Sequence, residues 1–386
     1  SVTIDGVALP IESWSNDVIV VRVPGTTPAG GHQLHVQRAN GKTTLSGVNL
    51  TVGGYGNAAA PPLTSPTRRV VQPGQTIQQM IDAASPGDMI LVPPGTYSEL
   101  VIMNKKVQLR GWGAPSAVIQ AAKFPAEKLQ NWRDKVAALL AADTFDLLPG
   151  QAATFDVPNN EPGLFNTEEA PGILVVAPAA NKTNGAQAFD NNRHAVIDGL
   201  TITGGDHGGG IFVNGYASFL EISNNRLVNN YGTFGGGIRV GHPNLINTTV
   251  VAANDSQYGG YTNALNNNVR IHHNHIAQNG GAGEAGGGVS VCTGSHNYQV
   301  TGNYVCGNFT LGNGGGIGHI GRSNDGLIAN NTVIFNHSFN QGLGVSGGGI
   351  FVGGQASLAV GRPSPGSGSV TVSANLVQGN LAGAGD

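Results

Sequence analysis

A short glycine-rich signature recurs through the second half of the chain and limits the folds open to it. Gly-Gly-Gly followed by Ile or Val occurs five times, at Gly208–Ile211, Gly235–Ile238, Gly286–Val289, Gly314–Ile317 and Gly347–Ile350. A second mark, Asn-x4-Asn, occurs at Asn225/Asn230, Asn274/Asn279, Asn303/Asn308, Asn331/Asn336 and Asn375/Asn380. Three successive pairs begin at positions 274, 303 and 331, so the two intervals between them are nearly equal. This spacing is about one turn of a solenoid.

The other two intervals between Asn pairs are longer, and their surplus falls in two places. They run from position 225 to 274 and from 331 to 375, so each covers one turn and a further segment. Residues 243–265 and 353–368 hold the surplus and are predicted to be loops. Stacked units tolerate length changes only at their rim, so insertions at fixed places favour an array of coils.

Each unit contains short apolar runs of strand type, such as Ile211-Phe212-Val213 and Val289-Ser290-Val291. Apolar residues at alternate positions predict strands. Helices are disfavoured because glycine makes up 61 of 386 residues and costs roughly 1 kcal/mol at each helix-interior position. Asn at one position of successive coils can stack its amide on the amide of the next coil. The repeat Gly and Asn residues are therefore interpreted as structural.

Residues 70–386 resemble the right-handed parallel β-helix proteins of the pectin-lyase-like superfamily. Val71–Ala84 looks like the amphipathic helix that plugs the N-terminal end of such solenoids, and Pro86–Tyr97 and Val107–Gly111 look like the first two coils. The alternation of Gly triplets and Asn pairs is also similar to the repeats of the polymorphic outer membrane proteins, although those carry Phe-x-x-Asn where this chain mostly does not. The resemblance implies an all-β solenoid that cleaves or binds polysaccharide.

Residues 1–54 follow another pattern. Alternating strands at Val18–Val23 and His32–Gln37, with a Pro24-Gly25 turn, resemble the immunoglobulin-like IPT/TIG module, a small β-sandwich. Residues 55–69 are proline-containing and predicted to be a linker. Residues 121–193 are predicted to be an insertion, and Pro125–Ala142 has the apolar spacing of a helix packed outside the solenoid.

Composition favours an exported protein. Only 11% of residues are charged, against roughly 25% in ordinary globular domains. With a formal charge of −3 and no basic cluster, nucleic acid is not an expected partner. No apolar run approaches the roughly 18 residues of a membrane helix. The start at Ser1 favours a mature chain after removal of a signal peptide, and hence a secreted or cell-surface location.

The last coil stops at Asp386, where every earlier unit proceeds to a Gly triplet. An uncapped solenoid end exposes strand edges. We therefore expect a continuation of the coils, in another chain or in a lost segment, with Asp386 as a processing or truncation point.

The two cysteines, Cys292 and Cys306, lie in consecutive repeat elements. A disulfide that joins neighbouring coils and a pair of buried free thiols are both open.

The residues available for catalysis are sparse. Polysaccharide lyases of the resembled type use an Arg or Lys base near Ca²⁺ held by several carboxylates. The best candidates here are Asp206, His207, Arg239 and His242 on adjacent coils, and no acidic cluster of calcium-site density accompanies them. If the chain is an enzyme, a polysaccharide lyase is the type that the resemblance implies, but no catalytic constellation in the sequence supports activity.

Histidines give a third possibility. His272-His273-Asn274-His275 is interpreted as one strand, so that His273 and His275 share a face and could hold Zn²⁺ or Cu²⁺. The alternative is that both are ordinary exposed polar residues.

His319 takes the place of Val213, Val240, Val291 and Val352 in the aligned repeats, a position expected to face the core. A buried imidazole needs a hydrogen-bond partner. We favour a one-residue shift of the strand at Gly318 over pairing with an interior polar group. The adjacent outward column carries Phe212, Arg239 and Phe351 and is predicted to contact carbohydrate, with an ordinary exposed sheet face as the alternative.

Three functions follow from these patterns. The favoured one is a secreted or surface-displayed protein with a structural, adhesive or carbohydrate-contacting role. The others are a polysaccharide lyase and an extracellular metal-binding protein.

Overall fold

The structure is a computed structural model of the 386-residue chain. The residues it describes are 1–44, 47–52, 66–148, 151, 169–179, 188–191, 194–243, 263–283, 286–354 and 366–384. Most of the predicted linker at 55–69, most of the two loops at 243–265 and 353–368, much of the insertion at 121–193, and Asp386 lie outside these residues.

The N-terminal segment forms two small antiparallel sheets. One has the strand order β2-β1-β5-β6 and the other pairs β3 with β4. The strands are β1 (Val2–Ile4), β2 (Val7–Ala8), β3 (Ile11–Trp14), β4 (Ile19–Val21), β5 (Gly30–Val36) and β6 (Val48–Val52). Val2, Ile4 and Leu9 form the core between them. The predicted small β-sandwich is confirmed, whereas its resemblance to IPT/TIG modules stays a prediction.

The rest of the chain winds into a right-handed parallel β-helix, which confirms the predicted fold class. The solenoid has four parallel sheets, which we number 1 to 4 in the order in which the chain passes through them within one coil. In each sheet, the strands of neighbouring coils pair in parallel register. The narrow sheet 3 begins only with the later coils.

Sheets 1 and 2 form two of the faces. Sheet 1 consists of β7 (Arg68–Val70), β8 (Met89–Val92), β11 (Gln108–Gly111), β14 (Val196–Asp198), β17 (Glu221–Ser223), β21 (Arg270–His272), β25 (Gln299–Thr301), β29 (Gly326–Ala329) and β33 (Val370–Ser373). Sheet 2 consists of β9 (Gly95–Tyr97), β12 (Ala117–Gln120), β15 (Thr201–Thr203), β18 (Arg226–Val228), β22 (His275–Ala277), β26 (Tyr304–Cys306), β30 (Thr332–Ile334) and β34 (Leu376–Gln378).

Sheets 3 and 4 complete each coil. Sheet 3 consists of β19 (Tyr231–Gly232), β23 (Gly280–Gly281), β27 (Phe309–Thr310), β31 (His337–Asn340) and β35 (Leu381–Ala384). Sheet 4 consists of β10 (Val101–Met103), β13 (Ile173–Val175), β16 (Ile211–Val213), β20 (Ile238–Val240), β24 (Val289–Val291), β28 (Ile317–Ile320) and β32 (Ile350–Gly353).

The Asn pairs form two buried ladders, as predicted. The first Asn of each pair lies between sheets 1 and 2 and the second between sheets 2 and 3. In the first ladder, the backbone N–H and the amide of Asn303 both donate to Oδ1 of Asn331, at 2.9 and 3.0 Å. Asn308 and Asn336 repeat this arrangement in the second ladder. These bonds satisfy backbone groups at the corners, which a regular strand ladder cannot reach.

The Gly triplets mark the corner between sheets 3 and 4, where neighbouring coils come closest. A Cβ atom at Gly237 would stand 2.8 Å from Cγ2 of Ile276 and nearer still to the carbonyl oxygen of Gly288. Gly314 has a φ of +76°, which side-chain-bearing residues rarely adopt. The triplets are therefore required by close backbone approach and by this conformation.

Both predicted helices are present. Helix α1 (Ile77–Ala83) buries Ile77 and Ile81 against the first coils, with Thr76 and Gln79 forming a capping box. Helix α2 (Ala126–Ala141) buries Trp132 and Val136. None of the helices in the described ranges has the length and hydrophobicity that a membrane span requires.

The predicted strand shift at His319 is wrong. His319 stays in register between Val291 and Val352 and is 1% exposed. Its Nδ1 lies 2.8 Å from the Tyr298 hydroxyl, and its Nε2 lies 3.0 and 2.9 Å from the carbonyl oxygens of Gly321 and Ser367. An interior polar group therefore satisfies the imidazole, and the strand has no need to move.

Candidate functional site

The outward column of sheet 4 does not form the exposed strip that the sequence predicted. Phe212 and Arg239 pair in register and are 0% and 1% exposed. Phe351, three coils further on, is half-buried. Phe212 belongs to the same buried apolar cluster as Trp132 and Phe145 of the insertion, and the Arg239 guanidinium lies over the Phe212 ring. Phe212 and Arg239 therefore present no surface to a polysaccharide.

Arg239 and His242 belong to a buried aromatic cluster. The Arg239 guanidinium lies 4.7 Å from the ring centre of Phe212 and 5.0 Å from that of Phe234. Its Nε donates to the Gly241 carbonyl at 2.9 Å. The ring of His242 lies 5.3 Å from that of Phe234. Arg239 and His242, two of the four predicted catalytic residues, are thus packed inside the protein, and Arg239 bonds to the turn after β20.

Asp206 and His207 occupy a partly exposed ionic cluster. One Asp206 oxygen lies 3.1 Å from Nδ1 of His207, and the other lies 2.5 Å from Nζ of Lys123. The hydrogen bond from His207, together with Lys123, holds the pKa of Asp206 well below its usual range. The same bond raises the pKa of His207, so its cationic form is favoured. Sequence reasoning missed Lys123.

The predicted catalytic set is therefore split between two surroundings, one buried and one exposed. No hydrogen bond, ion pair or ring contact recorded for the described residues joins Asp206 or His207 to Arg239 or His242. Within the described ranges there is also no group of three or more His, Cys, Asp and Glu side chains that could hold a metal ion. The described residues thus do not bring together the base and calcium site that a lyase of the resembled type uses.

The histidine run does not lie on one strand, contrary to the sequence interpretation. His272 ends β21 on sheet 1 and His275 begins β22 on sheet 2. His273 lies in the corner between them with a φ of +53°. Instead of sharing a face, His273 contacts His272 and His275 stacks on Tyr304 with ring centres 5.0 Å apart. His273 and His275 therefore lack the shared strand face on which the predicted Zn²⁺ or Cu²⁺ site was based.

No disulfide joins Cys292 to Cys306 in the structure. Cys292 follows β24 on sheet 4 and is buried, whereas Cys306 ends β26 on sheet 2 and is half-buried. The two side chains belong to different faces of the solenoid. The alternative of two buried thiols holds fully only for Cys292.

A group of exposed and half-buried rings lies on sheets 2 and 3 and at the corner between them. We call this surface the aromatic face, and its members are Tyr231, His275, Tyr304, Phe309, Phe335 and His337. His275 pairs in register with Tyr304 on sheet 2, and Phe309 pairs with His337 on sheet 3. The rings of Phe309 and His337 are 5.8 Å apart at 74°. Tyr231, Tyr304 and Phe335 are 44%, 38% and 62% exposed.

Most of these rings follow a ladder asparagine directly. Tyr231 and Phe309 come after the second Asn of their pairs, and His275 and Tyr304 come after the first. Because each Asn points into the corner, the next residue starts a strand facing outward. The residue after each ladder Asn is thus the sequence signal that would have located this surface.

Charged groups border the aromatic face. Arg226 precedes His275 in its column, and the ring of His207 lies 6.1 Å from that of Tyr231. Aromatic rings offer flat apolar area with little conformational freedom to lose, and the cations can pair with acidic groups. The surface can therefore contact an extended ligand over several coils.

A second polar cluster joins the sandwich to the solenoid. Glu221 on sheet 1 accepts hydrogen bonds from Asn49 of β6 and from Nε2 of His272 and His194, the histidines each at 2.7 Å. It is 0% exposed. Burial alone would raise the pKa of Glu221, but the two histidines outweigh it and hold the pKa well below its usual range. Sequence reasoning did not find this cluster.

No known protein family and no curated protein matches the chain. Among solved structures, the chain is similar to a pectin methylesterase in complex with a hexasaccharide. The TM-score is 0.34 at 10% identity, over 81% of this chain and 90% of that chain. The assignment of a parallel β-helix therefore rests on the strand pairing within this chain. The resemblance of the repeats to polymorphic outer membrane proteins stays a prediction.

Proposed function

We propose that this chain is a secreted or cell-surface protein that contacts polysaccharide through its aromatic face. The observation that carries the proposal is the clustering of aromatic rings on two adjacent sheets, where His275 pairs in register with Tyr304 and Phe309 with His337. A soluble solenoid has no packing reason to expose Tyr231, Tyr304 and Phe335 together on one side. A sugar chain running along the helix axis would meet one ring after another, each able to stack on an apolar sugar face.

The low charge of the chain supports an export role, and the rigid ladder core supports a structural or adhesive one. With 11% charged residues, the surface relies on amides, hydroxyls and rings. Polar uncharged groups and aromatic rings suit the hydroxyl-rich, partly apolar surface of a glycan.

The test is binding of the full chain to a panel of soluble polysaccharides by affinity electrophoresis, followed by variants. Tyr304→Ala and Tyr231→Ala are expected to lower affinity for the retained polysaccharide by about tenfold each, on the scale of one lost ring contact. Trp14→Ala is the matched control because Trp14 is similarly exposed, at 45%, but lies on the sandwich. Equal retardation of all three variants and wild type would place binding elsewhere, and no retardation by any polysaccharide would refute the role.

We also propose that the last coil accepts a further coil of the same kind. Asn331 donates from its backbone and its amide to Oδ1 of Asn375, both at 2.9 Å. Asn375 itself has the same donors facing the end of the solenoid. Next to it, Val372 and Val377, which follow the inward columns, are 47% and 50% exposed. Appending a copy of one coil with its Asn pair should raise the midpoint of thermal unfolding, whereas a coil with both Asn residues changed to Ala should not.

A further inference from the structure

A cavity of about 770 Å³ lies at the seam between the sandwich and sheet 1. Its walls include Val48 and Leu50 from β6 of the sandwich and Met89 and Leu91 from β8 of the solenoid. The volume falls within the range of small-molecule sites, and such sites form preferentially between domains. The aromatic face lies on sheets 2 and 3, so this cavity is separate from the proposed polysaccharide surface.

Trp112 lies at this cavity with most of its side chain open. It is 60% exposed although it follows directly after β11 and lines the cavity wall. Indole is the side chain with the largest apolar surface, and leaving it open beside apolar walls is unfavourable unless a ligand covers it. A flat ring stacked on Trp112 would bury that surface.

Arg110 is the cationic side chain among the polar residues that line the cavity, which also include Asn49, Thr51, Gln108, His194 and Asp198. Its Nε donates to the Gln108 amide oxygen at 3.2 Å, and its Nη1 donates to the Asn49 carbonyl and to Asp198. Nη2 of Arg110 makes no hydrogen bond to the described residues. It is also not one of the fully buried polar atoms that lack a partner, so it is accessible. Because Arg110 lines the cavity, Nη2 is the donor it can offer to a ligand.

The charge at this wall excludes some ligand classes. Arg110 is already paired with the Asp198 carboxylate at 3.2 Å, and Asp198 also lines the cavity. A ligand anion would face that carboxylate, so the geometry favours an uncharged acceptor. The wall formed by Val48, Leu50, Met89 and Leu91 has no hydrogen-bonding side chain, so sugar hydroxyls that meet this wall would stay unpaired, which is unfavourable.

We propose that this cavity binds an uncharged aromatic compound that stacks on Trp112 and accepts a hydrogen bond from Arg110. The walls set the ligand class, a flat ring bearing one carbonyl or ether oxygen. The site requires both domains, because β6 forms one wall and β8 and β11 form the other.

The test uses the full chain and three matched probes in isothermal titration calorimetry. 4-Hydroxyacetophenone supplies an aromatic ring with a neutral carbonyl, 4-hydroxybenzoate replaces that carbonyl group with an anion, and 4-acetylcyclohexanol keeps the hydroxyl and the ketone but removes the aromaticity. We expect the first probe to bind at least fivefold more tightly than either of the others. Tighter binding of 4-hydroxybenzoate, or no binding of 4-hydroxyacetophenone at millimolar concentration, would overturn the proposal.

Variants locate the binding. Trp112→Ala is expected to weaken 4-hydroxyacetophenone binding by about fivefold, the scale of one lost aromatic contact. Trp14→Ala, which removes an exposed tryptophan outside the cavity, is expected to leave it unchanged. Val48→Phe is a second variant, because Val48 is 58% exposed and a larger ring there fills the cavity and blocks the probe. Wild-type affinity in both Trp112→Ala and Val48→Phe would refute the site.

Discussion

Nε2 of His272 lies 2.7 Å from Oε1 of Glu221, a carboxylate with no exposed surface. His194 lies at the same distance from the other oxygen, and Asn49 of the sandwich also donates to Oε1. Three separate parts of the chain thus converge on one charge. A buried carboxylate is tolerated only when it is paired and hydrogen-bonded, so this cluster depends on the sandwich and the solenoid being docked.

Glu221→Gln is expected to lower the free energy of unfolding by about 3 kcal/mol, since an amide cannot accept hydrogen bonds on both sides and leaves buried partners unsatisfied. Urea unfolding measures this. Glu12→Gln is the control, because Glu12 forms an exposed ion pair with Arg22 worth less than about 1 kcal/mol. Equal losses in the two variants would show that Glu221 contributes only a surface charge.

Acid is expected to weaken the fold through His273. Loss of hydration to neighbouring groups, with the nearby charge of His272, lowers the pKa of His273 to about 4, although part of its side chain is exposed. A group whose pKa is lower in the folded state binds fewer protons there than when unfolded, so the free energy of unfolding rises with pH between about 4 and about 6.5. Toward the lower end of that window and below it, the lowered pKa of Glu221 adds a loss of the same sign.

His273→Asn should flatten this rise. Asn224 and Asn330 occupy the equivalent corner positions with φ of +53° and +56°, so the backbone accepts asparagine. The measurement is urea unfolding of both proteins at pH 4, 5, 6 and 7. The difference between them should grow from pH 7 to pH 4 in favour of the variant, and parallel curves would exclude His273 as the source.

Patterns within one repeat predicted much of the fold. The Asn pairs and Gly triplets fix the coil length, and the ladder bonds between Asn303 and Asn331 and the helix over Ile77–Ala83 are set by local sequence. Contacts between segments that are distant in the sequence were not predicted. Asn49 and Glu221 are 172 residues apart, and no periodicity relates them.

The solvent exposure of outward-pointing side chains was also predicted wrongly. Alternation along a strand predicts which residues point away from the core of the solenoid, but an outward residue such as Phe212 can still be fully buried. The predicted site on sheet 4 was wrong for this reason. His319 was misread because a strand position set by valines elsewhere can accept an imidazole when Tyr298 supplies a partner.

Asn303→Ala is expected to lower the free energy of unfolding by about 3 kcal/mol or more. Its Oδ1 accepts two bonds from Asn274, and its amide donates to the Ile271 carbonyl at 2.8 Å. The truncation leaves buried backbone groups on two coils unpaired. Thermal and urea unfolding measure the loss. Asn16→Ala, at an exposed turn of the sandwich, should change the value by less than about 0.5 kcal/mol, and a similar result for Asn303→Ala would mean that the ladder is not stabilising.

Two glycines should respond in opposite ways. Gly237→Ala would press a methyl group against Ile276 and the Gly288 carbonyl, and is expected to destabilise by more than about 2 kcal/mol. Gly307 has open space around it and a φ of +62°, and Asn229 occupies the same kind of corner in an earlier coil with a φ of +55°. Gly307→Asn should therefore fall within about 1 kcal/mol of wild type. Unfolding by urea ranks the two, and a reversed order would contradict the close-approach explanation.

A double-mutant cycle tests the buried pair of Tyr298 and His319. Nε2 of His319 faces two carbonyl oxygens, so it carries the proton, and Nδ1 accepts from the Tyr298 hydroxyl. Burial lowers the pKa of His319, which keeps the ring neutral. Tyr298→Phe and His319→Val each leave a buried polar atom of the other residue without its hydrogen bond. Each should lower the free energy of unfolding by about 1 to 3 kcal/mol.

The two substitutions made together should cost less than their sum. Valine fits the position, because the same column carries Val240, Val291 and Val352 on other coils. The double variant contains neither the Tyr298 hydroxyl nor Nδ1 of His319, so neither atom is left unpaired. We expect a coupling energy of about 1 to 2 kcal/mol from urea unfolding of the four proteins. Additive effects would show that His319 is held by the Gly321 and Ser367 carbonyl groups alone, with Tyr298 serving only to fill space.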